Sequence, residues 1–158
     1  MATAGMTITG QYLDRLENPP IGVFQQQVTQ SVATGVWSVL TFDTEITDPY
    51  GGHSTVTNTS RYTCQLAGWY RVTGRAAFNA NATGSRGARV HLNGSFIIGA
   101  ANLCGAGTLA GLVEVSHVLL LAVGDYVEIA GGQNSGGALS TQFANEGASM
   151  MYVQRIHA

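Results

Sequence analysis

The chain has 158 residues, a net charge of −2, and 10% charged against 45% hydrophobic side chains, with 21 glycines. That length suits one domain able to bury roughly two-thirds of its unfolded surface without covalent staples. The charge balance excludes a nucleic-acid-binding face, which needs clustered Lys and Arg, whereas this chain has no lysine and its seven arginines are scattered.

Residues 1–21 stand apart from the rest. They lack a basic start followed by an apolar core, so no secretion signal is expected and the chain is made in a cytoplasm. Tyr12, Leu13 and Leu16 fall on one side of one or two helical turns, which Pro19 and Pro20 stop. A segment that short is not stable alone in water, so it is either a frayed terminus or an arm that orders on another protein.

From residue 22 onward helical periodicity is almost absent. Short runs rich in Val, Thr, Tyr and Phe alternate with Gly, Asn, Asp and Pro, the pattern of an antiparallel all-β domain spanning 22–158. Strands are expected at 22–32, 36–43, 55–64, 67–79, 86–93, 95–99, 109–122, 125–131, 139–144 and 148–156. Ten strands in so short a chain predict a two-sheet sandwich of the jelly-roll kind. Asn93-Gly94 predicts a tight hairpin, and Gly124-Asp125 a second one between 109–122 and 125–131. The longest apolar run, Val118–Val123, has the length of a buried strand and is too short for membrane insertion.

Few residues suggest chemistry. Asp43, Glu45 and Asp48 share an extended stretch and could hold calcium, against a solvated turn before Pro49, which the composition favours. His53, His91, His117 and His157 follow no metal-ligand spacing, and His91 and His117 read as strand-face residues. Cys64 and Cys104 match no metal or redox motif and read as buried thiols, with pairing as the alternative. The Asn58, Asn81 and Asn93 triplets read as coincidences of a Ser/Thr-rich chain. Gly131 to Gly137 reads as an end loop, since no helix follows to make a phosphate cradle. Alternation places one of Trp69 and Tyr70 in the core and the other outward or in a subunit seam, leaving open which is which. No catalytic residue, metal or cofactor is expected.

Several motifs occur in order: Phe42 after an aliphatic run, Gly68-Trp69-Tyr70, Val90-His91-Leu92-Asn93-Gly94, Leu119-X-Leu121 before Gly124-Asp125-X-Val127, and Phe143 before Met150-Met151-Tyr152-Val153. In this they resemble the C1q/TNF-like trimeric jelly-roll family in its C1q-type form. The resemblance implies a ten-stranded jelly roll with a short N-terminal arm, assembled as a homotrimer around a largely apolar threefold interface. Phe42, Trp69, Tyr70, Leu119, Leu121, Val127 and Phe143 would pack the core or that interface. Without a collagen repeat in residues 1–21, the chain looks like the versions carried by bacteriophage virions as head decorations or tail appendages. The expectation is therefore a non-enzymatic virion protein whose arm (Tyr12, Leu13, Leu16) docks on a phage capsid or tail protein. The alternative is a tip module that recognises a host-surface glycan.

Overall fold

A computed structural model of the chain describes Gly10 and residues 18–144 and 147–158. The arm residues Tyr12, Leu13 and Leu16 lie outside the described residues. The described chain runs through short strands β1 (Ile21–Gln25), β2 (Ser31–Val32), β3 (Trp37–Val39), β4 (Thr44–Thr47) and β5 (Arg61–Thr63). Longer strands follow: β6 (Gly68–Phe78), β7 (Asn81–Leu92), β8 (Ser95–Gly107), β9 (Gly111–Leu121) and β10 (Tyr126–Gln133). The chain closes with β11 (Leu139–Ser140), β12 (Phe143–Ala144), β13 (Gly147–Ala148) and β14 (Met150–His157).

Ten of these strands form two five-stranded sheets. The first has the order β4-β1-β14-β6-β9; the second has the order β3-β10-β7-β8, with β5 also on β10. The remaining strands form two small sheets, β11-β2 and β12-β13. Every pairing is antiparallel. The molecule is the all-β jelly-roll sandwich that the alternating pattern predicts.

Alternation decides which side chains enter the space between the sheets. Along β6, Tyr70, Val72, Gly74 and Ala76 point inward, and along β9 so do Val113, Val115, Leu119 and Leu121. They meet Phe24, Leu40, Phe42, Tyr62, Val127, Ile129 and Met151. Fully burying one such side chain contributes roughly 1.5–3 kcal/mol. Arg86 is also buried, and its guanidinium donates to the carbonyls of Asn81 (2.9 Å), Thr83 (3.0 Å) and Ser85 (2.9 Å), holding the bulged start of β7.

Several expected boundaries move, for local reasons. The strand expected at 22–32 breaks after Gln25 because the Asp43 carboxylate accepts from the amides of Gln27 (2.8 Å) and Val28 (2.6 Å) and turns the chain there. Residues 44–47, read as part of a solvated turn, form β4 by pairing with β1 at the sheet edge. The strand expected at 55–64 shrinks to β5, since the Ser54 hydroxyl accepts from the amides of Val56 and Thr57 (both 3.2 Å) and Asn58 adopts φ +51°. The strand expected at 95–99 runs on to Gly107 against a β7 that starts at Asn81.

The hairpin expected at Gly124-Asp125 is the main topological correction. β9 pairs with β6 in the first sheet, whereas β10 pairs with β3, β5 and β7 in the second. Gly124 (φ +91°) and Asp125 thus make a corner between sheets. The Asp125 carboxylate accepts from the Ala122 amide (2.8 Å), and the Gly124 amide donates to the Cys64 carbonyl (2.9 Å). By contrast, Asn93 (φ +50°) and Gly94 (φ +79°) join β7 to β8, which do pair with each other.

Candidate functional site: the two outer sheet faces

Both sheets cover the core with one face and present the other outward, and any binding surface must be built there or on the end loops. On the first sheet, the register sets Trp69 opposite Leu120, Arg71 opposite Val118, Thr73 opposite Ser116, Arg75 opposite Glu114 and Ala77 opposite Leu112. The Thr73 and Ser116 hydroxyls are 2.9 Å apart, and Arg75 pairs with Glu114 at 2.6 Å. Tyr152 of β14 stands beside Thr73, and Ile21 of β1 stands beside Gln154. This face is apolar at the Trp69 end: Trp69 is 43% exposed, Leu120 61% and Val118 42%.

The Trp69–Tyr70 alternative is thereby resolved. Tyr70 is in the core, donating its hydroxyl to the Leu66 carbonyl (2.6 Å), and Trp69 faces outward. Phe42, Leu119, Leu121 and Val127 are also buried, while Phe143 lies exposed on β12. Burial raises the pKa of the phenols of both Tyr62 and Tyr70, which keeps them neutral.

On the second sheet, the outward positions of β7 and β10 carry an ordered polar row. Glu128 lies opposite His91 in register. The Glu128 carboxylate accepts from Ser60 Oγ (2.7 Å) and Arg61 Nε (3.2 Å), and the Arg61 guanidinium lies 4.0 Å from the Tyr126 ring centre. Arg89 Nε donates to His91 Nε2 (2.9 Å), while its guanidinium carbon lies 4.5 Å from the Trp37 ring centre and 5.1 Å from that of Phe96. His91 Nδ1 is buried without a hydrogen-bond partner. Burial, and then the neighbouring Arg89 charge, hold the His91 pKa below its ordinary value, with Glu128 pulling the other way. Desolvation also lowers that of Arg89.

Trp37 reaches this row by lying across two glycines. A Cβ on Gly132 would stand 2.8 Å from the indole Cδ2, and one on Gly87 would stand 2.5 Å from its Cη2 and 2.6 Å from Leu103 Cδ2. Gly132, expected in an end loop, is therefore a buried strand residue that with Gly87 gives the indole its bed, while Gly131 faces the core against Phe78 and Leu40. Beside the ring is a cavity of about 280 Å³ lined by Val36, Trp37, Ser85, Gly87, Leu103 and Asn134, among others.

The remaining candidates do not converge. Asp43 caps residues 27–28, Glu45 is exposed on β4, and Asp48 accepts from the His53 amide (2.8 Å). The three acids expected as a possible calcium set thus face separate tasks. His53 is held through both ring nitrogens against the carbonyls of Arg61 (2.7 Å) and Phe42 (3.0 Å). Cys64 is a buried free thiol, as expected, but Cys104 is only half-buried, a correction to its reading as buried; it also is free. Sequence reasoning missed the Trp37–Arg89–Phe96 group. Its signal is the period-two placement of Gly87, Arg89 and His91, which makes sense only once β10 and β3 are laid alongside.

No family model and no curated protein matches the sequence. Solved structures do match. The globular domain of zebrafish complement 1qA superimposes with a TM-score of 0.63 at 15% identity, covering 87% of this chain and 98% of that one. The chain has the C1q/TNF-like jelly-roll fold. Murine APRIL (TM-score 0.62, 11% identity, 85% of this chain and 98% of that one) shares this C1q/TNF-like fold. So does Eiger TNF from S. frugiperda (TM-score 0.57, 13% identity, 88% and 95%). At such identities the likeness concerns the C1q/TNF-like fold alone, and function must be argued from the surfaces.

Proposed function

We propose that the protein is a non-enzymatic structural component that works as a homotrimer, a C1q-like module displayed on a phage particle as a head decoration or tail appendage. Residues 1–21 attach it to a capsid or tail protein, and three identical arms give avidity for a symmetric platform. The observation that carries the assembly is the outer face of the first sheet, where Trp69, Val118 and Leu120 sit exposed beside one another. Contiguous apolar side chains on a flat sheet face mark an interaction surface. A ring of three copies would cover it through head-to-tail contacts. The low charge of the chain supports the same reading.

Sedimentation and light scattering test the assembly: a mass of three chains is expected, and a monomer at micromolar concentration overturns it. Deleting residues 1–17 is expected to leave that mass unchanged and to abolish incorporation into particles. Normal incorporation of the truncated chain would dismiss the arm.

A second reading, a module that recognises a host-surface glycan, is favoured by one observation. The Arg89 guanidinium lies against two aromatic rings, and one of them, Trp37, also lines a cavity on the second sheet.

A further inference from the structure

The Arg89 group lacks something that charged side chains held among rings ordinarily have. Glu128, the carboxylate opposite His91 across the ladder, is taken by Arg61 and Ser60. Among the described residues, the ion pairs are Arg61–Glu128 and Arg75–Glu114, and neither involves Arg89. Arg89 spends one donor, Nε, on His91. Among the described residues its two terminal amino groups meet no acceptor, on a guanidinium fixed in orientation by Trp37, Phe96 and the His91 bond. Such a planar, preset fork matches a carboxylate, whose two oxygens accept both amino groups at once.

The neighbouring cavity says what the carboxylate is attached to. Trp37 is common to both: its ring borders Arg89, and its far edge meets Leu103 over Gly87 to form one wall of the cavity. Val36 and the backbone of Gly35 and Gly132 line it as well, and Ser85 and Asn134 add polar groups to the rim. The Asn134 carbonyl oxygen accepts from the Ser85 amide (2.5 Å) and hydroxyl (3.1 Å), so the Asn134 amino group points elsewhere as a donor and Ser85 Oγ keeps lone pairs as an acceptor. A donor beside an acceptor suits an alcohol, which needs both. An apolar wall of ring edge and Leu103 suits a C–H face. The volume, about 280 Å³, stands at the small end of ligand sites and suits a single sugar ring.

We propose that Trp37, Arg89 and the cavity lined by Ser85, Leu103 and Asn134 bind a carboxylate-bearing monosaccharide unit of a surface glycan, with the carboxylate on Arg89 and the ring in the cavity. The inference rests on the glycan-recognition reading and is independent of the assembly reading. The carboxylate and the ring hydroxyls are recognised by different groups, so a neutral sugar loses the first contact and a simple carboxylate loses the second.

Titration calorimetry on the intact assembled protein tests it, with 3′-sialyllactose, a glucuronate disaccharide, neutral lactose and acetate as probes. At least one acidic saccharide is expected to bind with a dissociation constant of about 1 mM or tighter, and lactose and acetate at least about tenfold more weakly. The two acidic probes distinguish a sialic from a uronic source. Arg89→Gln is expected to weaken the acidic saccharide about tenfold or more and to remove its advantage over lactose. Leu103→Trp, at an exposed position on the cavity rim, is expected to weaken binding similarly by filling the cavity without touching Arg89. Light scattering on each variant reports assembly separately. Absence of binding by both acidic probes, equal binding of lactose, or unchanged binding in both variants overturns the proposal while leaving the assembly reading intact.

Discussion

His91 shows how one residue's environment couples to pH. It is 8% exposed, takes a hydrogen bond from Arg89 on Nε2, and has no partner on Nδ1. Glu128 faces it across the ladder, but that carboxylate is turned to Ser60 and Arg61. The neutral ring can accept from Arg89, whereas the protonated ring would set two cations against each other. Burial and Arg89 therefore hold its folded-state pKa below the ordinary 6.5. Below 6.5 the unfolded chain binds a proton that the folded chain refuses, so this contribution to stability is complete above that value and declines as pH falls towards the folded pKa. Thermal melting from about pH 7.5 to about pH 5 should show a fall in Tm, and His91→Gln should make that fall shallower. An identical slope in the variant would remove His91 as its source. Asp125 behaves in the opposite chemical sense: the Asn93 amide and then the Ala122 amide hold its carboxyl below the usual range, favouring the charged form that closes the corner.

Strand β9 shows how a period of two separates tasks between neighbours. Leu121 points into the core and is 1% exposed, while Leu120 points outward opposite Trp69 and is 61% exposed. Leu121→Asp would bury an unpaired carboxylate, costing roughly 4 kcal/mol or more, and is expected to prevent folding. Leu120→Asp places the same group in water on the monomer. It is expected to leave the β-sheet circular dichroism spectrum intact and to break the trimer in light scattering. A folded, trimeric Leu120→Asp protein would move the subunit contact to another face. The turn at Asn93-Gly94 belongs to this scale too, because both residues hold positive φ and Asn93 also bridges to Asp125 (2.9 Å) and the Tyr126 amide (2.9 Å). Gly94→Val is expected to cost about 1 kcal/mol or more, read as a lower urea midpoint, because a β-branched residue resists left-handed φ.

For the molecule as a whole, the sheets divide the work. The inner faces supply a core continuous from Phe24 to Val153, the first sheet's outer face supplies an apolar surface, and the second sheet's outer face supplies rings and charges around a cavity. If three copies cover the apolar face, folding and assembly are linked by mass action. The thermal midpoint should then rise with protein concentration over a hundredfold range. A concentration-independent midpoint at dilutions where the trimer dissociates would show that the subunits do not stabilise one another.

The sequence by itself determined the fold class and most of the long strands, because alternation of Val, Leu, Tyr and Phe with polar residues is a local signal that any buried sheet face must leave. The resemblance also set Leu119 and Leu121 among the packing residues, and both are buried. What only the tertiary structure decided was which strands lie side by side. Gly124-Asp125 reads as a hairpin in sequence because a tight hairpin turn and a corner between sheets use the same residue types; only long-range pairing sends β9 and β10 to different sheets. Residues 44–47 became a strand for the same reason, through a partner at β1 some twenty residues away. The Trp37–Arg89–Phe96 group lay hidden because its members come from three strands, and glycines at 87 and 132 announce their purpose only when a ring from a third strand is laid over them.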